Sequence, residues 1–83
     1  MTNATDTTYN GWANRATWNV ALWIGNDEGL YRLACDIVSN GGTYGHFADT
    51  MSEMGMTETP DGYSWTATEL DGIELNEMMT ELV

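Results

Sequence analysis

Three of the chain's four tryptophans, Trp12, Trp18 and Trp23, fall in the short stretch Tyr9 to Ile24, YNGWANRATWNVALWI. A buried aromatic side chain removes roughly 150–250 Å² from water. In a chain of 83 residues, three indoles this close together are expected to form the centre of the core. Trp18 is the expected hub, and Trp18→Ala the expected worst truncation. The local structure of the stretch is ambiguous from pattern alone. Trp18, Val20, Leu22 and Ile24 alternate as a strand would, yet Trp18 with Leu22 and Val20 with Ile24 also fit helical i,i+4 contacts. Helix is preferred, because the following segments read as helices and offer no strand partner. Asn14 is a suitable N-cap for a helix from Arg15 to about Ile24, with Gly25 and Asn26 ending it.

The next segment has the clearest helical period. Asp27 is an N-cap and Glu28 suits the positive end of the helix dipole. Leu30, Leu33, Ala34, Ile37 and Val38 then follow at i, i+3, i+4, i+7 and i+8, and Asn40-Gly41-Gly42 is a stop. Thr43 caps a third helix, whose apolar stripe is Tyr44, Phe47, Met51 and Met54, with Gly55 as its end. Thr59-Pro60-Asp61-Gly62 is a turn, since proline presets φ and glycine accepts a positive one. Tyr63 to Thr68 alternates weakly and reads as a short extended piece that would return Trp65 to the core. Asp71-Gly72-Ile73-Glu74 is a capping box opening a last helix with Leu75, Met78, Met79 and Leu82 on its apolar face. The fold class is therefore mainly α: one small bundle of about four helices over residues 9–83, with one short extended segment near Tyr63–Thr68. Residues 1–8, small and polar, read as a flexible tail.

The pattern N-G-W-x-N-x-x-T-W-x-V-x-L-W from Asn10 to Trp23, followed by Asn26, Asp27, Glu28 and Tyr31, resembles a family of small proteins of unassigned function carried by phages, plasmids and bacterial genomes. The resemblance implies a mobile-element origin and a small helical fold, and it brings no catalytic residues with it.

Charge limits the partners. Thirteen carboxylates against two arginines and no lysine give a formal net charge of −11. From Leu33 to Val83 there are ten acids and no arginine or lysine. Direct nucleic-acid binding needs cations to displace counterions, and an anionic membrane surface would repel this chain. A basic partner is expected instead. No apolar run is long enough to span a bilayer. The N-terminus lacks the pattern of a signal peptide, which places the protein in the cytoplasm as an expectation. Cys35, the one cysteine, reads as a small buried hydrophobe.

Sites for chemistry are few. His46, Asp49 and Glu53 stand at i, i+3 and i+7, a spacing that fits metal ligands on one helix face but fits a solvated polar face better. No P-loop, nucleophile elbow or C-x-x-C motif occurs. No catalytic residue, metal or cofactor is expected. The methionines at helical apolar positions read first as core filler and second as an adaptable binding face.

The acids suggest a function. Asp71, Glu74, Glu77 and Glu81 step along the last helix by roughly 4.5–6 Å at a time, a scale comparable with the one charge per ~3.4 Å of a DNA strand. The first expectation is an anti-defence inhibitor, either anti-CRISPR or anti-restriction. It would mimic nucleic acid and block the basic DNA- or RNA-binding surface of a host nuclease complex. Glu69, Asp71, Glu74, Glu77 and Glu81 would bind, with Asp49 and Glu53 as a second patch. The alternative is a small protein-interaction module. It would work through the tryptophan-rich N-terminal unit (Trp12, Arg15 and Trp65, the two indoles being the more exposed ones), with acidity reflecting a saline habitat. Arg15 otherwise has an expected structural role, pairing with Asp27 or Glu28.

Overall fold

A computed structural model describes residues 9–83, so the reading of residues 1–8 as a tail falls outside them. Four helices follow in order: α1 (Arg15–Asn26), α2 (Glu28–Ser39), α3 (Tyr44–Glu53) and α4 (Gly72–Glu81). No strand forms among the described residues. The Tyr63–Thr68 stretch contributes only a single bridge, Ser64 with Glu58, before breaking into turns.

Local chemistry accounts for the helix ends. Asn14 accepts from the Thr17 amide at 2.8 Å and Asp27 from the Leu30 amide at 3.0 Å. Asp27 also closes α1, its own amide donating to the Trp23 carbonyl. The first helix thus runs through Gly25 and Asn26, and one residue serves both helices. At the end of α2 the Gly42 amide reaches the Ile37 carbonyl and the Gly41 amide that of Val38. This is a Schellman turn, with Gly41 in the left-handed region at φ 83°. Gly42 is needed for space, because a Cβ there would lie 2.5 Å from the Ile37 Cγ2. The same motif ends α3, through Gly55 at φ 80°, and turns Met56 back so that its amide meets the Met51 carbonyl. Met54, assigned by spacing to the apolar stripe, falls past the helix end and is 54% exposed.

The helices α2 and α4 each pack against the other three, while the backbones of α1 and α3 do not approach each other closely. The long connection between α3 and α4 bridges the gap. On one side Thr59 donates to the Asn19 side chain, and Asp61 accepts from Asn19 and from the Trp23 indole. On the other, Trp65 meets the Phe47 ring edge-on at 5.6 Å, and Tyr44 donates its hydroxyl to the Trp65 carbonyl. Burial pushes the Tyr44 pKa upward.

Two expectations about the tryptophans are corrected here. Trp65, expected to return to the core with the extended piece but also counted among the more exposed indoles, is 1% exposed and is the largest fully buried side chain, in one core cluster with Val20, Ile24, Phe47, Met51, Leu75 and Met79. Trp18, expected at the centre, is only half-buried and stacks edge-on against Tyr9 with ring centroids 4.9 Å apart. The reason is the helical period. Ala16, Val20 and Ile24 share one face of α1, and Trp18 and Leu22 lie on the opposite one. The inward face carries small Ala16 and Thr17 at its start, where Thr17 meets the start of α4.

Asp61 holds the connection to α1 electrostatically. Hydrogen bonds from Asn19 first and Trp23 second, with a further contribution from Arg15, hold its carboxyl below its ordinary pKa. A lowered folded pKa contributes stability above the unfolded value, and that contribution disappears as pH falls through the folded value. The melting-temperature difference between the parent and Asp61→Asn should therefore be full at neutral pH. It should shrink to nothing as acid takes the pH well below about 4. A difference that is independent of pH down to that range would exclude this role.

Candidate functional site

The N-terminal motif is built to hold α4. Tyr9 and Trp12 exchange both backbone hydrogen bonds, at 2.9 and 2.8 Å, around Asn10 and Gly11 with φ of 50° and 87°. This is a tight primed turn, the conformation for which an Asn-Gly pair is the strongest short-range signal. The sequence reading missed it. Beyond the turn, Ala13 donates its amide to Glu74 Oε1 at 2.7 Å, and Asn14 donates its side-chain amide to the Glu69 carbonyl. Thr17, fully buried, accepts from the Asp71 amide at 3.0 Å while donating to Asn14 at 2.7 Å. The two helix starts are thereby locked together.

This changes the expected capping box. Asp71 does cap α4, accepting from the Glu74 amide at 3.1 Å. The Glu74 side chain does not return to the Asp71 amide, which is taken by Thr17. It crosses to Ala13 instead.

The seven carboxylates proposed as a binding surface fall into three groups. Glu74, Glu77 and Glu81, with Trp12, Gly11 and Met78, line one open groove of about 280 Å³. Asp71, half-buried, is occupied as a cap, and Glu69 is exposed while its carbonyl accepts from Asn14. Asp49 and Glu53 are exposed on α3. No arginine reaches the groove, since the one ion pair among the described residues is Arg32 with Glu28 at 2.9 Å, both ends exposed. Arg15 is not paired with Asp27 or Glu28, which lie at the far end of a twelve-residue helix. It stands over the Tyr9 ring, 5.6 Å from the centroid. Of the alternative interface, Trp12 lines the groove and Arg15 is exposed, whereas Trp65 is inside the core and unavailable to a partner.

His46 is used locally, its Nδ1 accepting from the Thr43 amide at the start of α3. Among the described residues no three His, Cys, Asp or Glu side chains gather as a metal site. Cys35 is half-buried with its sulfur 3.8 Å from the Leu82 carbonyl. No described helix is long and apolar enough to cross a membrane.

Fold and groove together define a small acidic helical protein whose N-terminal turn and last helix form one acidic, tryptophan-bearing surface. The chain belongs to a family of unknown function, DUF7249, whose family model matches residues 5–83. No curated protein and no solved structure matches it.

Proposed function

We propose that the protein acts by binding rather than catalysis, as a phage- or mobile-element-borne anti-defence inhibitor. Its α4 carboxylates take the place of nucleic-acid phosphates on a basic host nuclease complex in the cytoplasm. The observation that carries this reading is the convergence of Glu74, Glu77 and Glu81 on one groove wall with no arginine beside them. A row of carboxylates without internal counterions leaves its field directed outward, where it attracts a basic surface and speeds encounter. Trp12 in the same groove adds an aromatic anchor of the kind enriched at binding hot spots.

The test uses Glu77→Gln with Glu81→Gln. Glu74 is kept, because its side chain also holds Ala13. Exposed substitutions of this kind usually change stability by no more than about 0.5 kcal/mol each. Association with a captured host nuclease complex should slow by about tenfold at low salt, and the difference should narrow as salt screens the charges. Failure to retain any basic partner at low salt, or unchanged association of the glutamine variant, would reject the mimic.

The position of Trp12 in the groove supports the second reading, a protein-interaction module working through the N-terminal unit with habitat-driven acidity. In that case Trp12→Ala abolishes binding and the glutamines are silent. Proteins from the same source would then be equally acid-rich.

A further inference from the structure

A second, larger groove opens elsewhere, and none of its lining residues belongs to the α4 groove. It has a volume of about 690 Å³ and runs between the start of α2 and the turn that ends α3. Trp23, Leu30, Leu33, Met54, Met56 and Trp65 line it. That volume is within the roughly 300–1,000 Å³ of ligand-binding clefts. Its walls differ in rigidity. Trp23 is held by its indole N–H donating to Asp61 at 2.9 Å, and Trp65 is fixed in the core. Met54 and Met56, on either side of the left-handed Gly55, are 54% and 50% exposed. Unbranched thioether side chains of this kind repack around different apolar partners.

Charge selects among occupants. The ionisable groups lining the groove are Asp27 and Glu58, both exposed carboxylates, and no arginine or histidine lines it. A second copy of the chain would bring a formal charge of −11 against another −11. We propose that this groove binds a basic amphipathic segment of a partner protein. The segment's apolar side chains would lie against Met54, Met56 and the partly exposed Trp23, above the buried Trp65, with its lysines or arginines facing Asp27 and Glu58. An apolar face set in a methionine-lined groove is an established mode of helix recognition. Here the acidic rim adds discrimination against neutral and acidic segments. This surface goes beyond the α4 reading and stands or falls separately from it.

The probe is a short amphipathic leucine–lysine peptide, titrated into the full chain with tryptophan fluorescence and calorimetry as readouts. Three controls accompany it: the same leucine pattern with glutamine for lysine, a leucine–lysine peptide scrambled to lose its apolar face, and the parent protein alone in sedimentation. The amphipathic lysine peptide should bind and perturb the indoles. Met54→Gln with Met56→Gln, a change without charge at two exposed positions outside the helices, should weaken it by about tenfold or more if these side chains act as anchors. The Glu58→Lys variant should weaken it too, while Glu77→Gln with Glu81→Gln should leave it unchanged. Equal binding of the glutamine peptide would overturn the charge selection. Equal binding of the scrambled peptide, or no effect of the methionine pair in a variant that melts like the parent, would show attraction to the acidic surface at large and overturn the groove. Self-association of the parent that buries the groove would replace the partner segment by a second copy.

Discussion

Trp65→Ala should lower stability by about 3–5 kcal/mol, the range for deleting a large buried aromatic side chain. Small domains have roughly 5–15 kcal/mol in total, so this variant would be close to unfolding. The indole is 1% exposed and meets Phe47 edge-on, and its carbonyl receives the Tyr44 hydroxyl. Loss of the side chain opens a cavity where the α3–α4 connection spans from α1 to α3. Trp65→Phe keeps an aromatic partner for Phe47 and should cost less. Trp18→Ala should cost less than Trp65→Ala, since it loses about 0.5–1.5 kcal/mol for the aromatic pair with Tyr9 and only the partial burial of a half-exposed indole, with no enclosed cavity. Urea denaturation of the three variants checks the order. If Trp18→Ala is the most damaging, the core has been misplaced.

The second large effect is expected at the lock between the two helix starts. Thr17→Val keeps the shape of a fully buried side chain. It removes the oxygen that accepts from the Asp71 amide and donates to Asn14. Leaving a buried donor unsatisfied costs about 1–3 kcal/mol, and the part-buried Asp71 amide should fall toward the lower end. Asn14→Ala removes the α1 cap and the bond to the Glu69 carbonyl, for roughly 2 kcal/mol at the upper end of cap losses. Because the two side chains bond each other, the double variant should lose less than the sum of the singles. Strict additivity would show that they act independently. Loosening of this lock also frees the end of α4 that carries Glu74, so amide exchange along α4 should rise in Thr17→Val.

The tryptophan-rich stretch from Asn10 to Trp23 acquires a physical meaning from these contacts. Asn10 and Gly11 make the positive-φ turn, Asn14 caps α1, Thr17 holds Asp71 and Trp23 holds Asp61. Most of its distinctive residues are therefore engaged in joining the N-terminal segment to α4 and to the connection before it. Trp12 is the tryptophan of this stretch that lines the acidic groove.

Helix positions were legible because their signals are local. Asn14, Asp27, Thr43 and Asp71 all stand one residue before a helix, and Gly41 and Gly55 take the left-handed conformation just past one. A cap is a matter of three or four neighbouring residues, so the order of amino acids alone determines it. The acid excess and absence of lysine were equally plain, and with them the expectation of a basic partner. What the linear order left open was which of two apolar faces of α1 turns inward, where Trp65 goes, and which carboxylates face a common groove. Trp18 and Leu22 form as good a helical pair as Val20 and Ile24. The choice between them is made across the fold, where the inward face brings Thr17 to the start of α4. Glu74 likewise satisfies a local capping pattern, yet bonds Ala13, sixty-one positions earlier. Local patterns determine that these helices form and where they end; side-chain volume and hydrogen bonds between distant segments decide which faces meet.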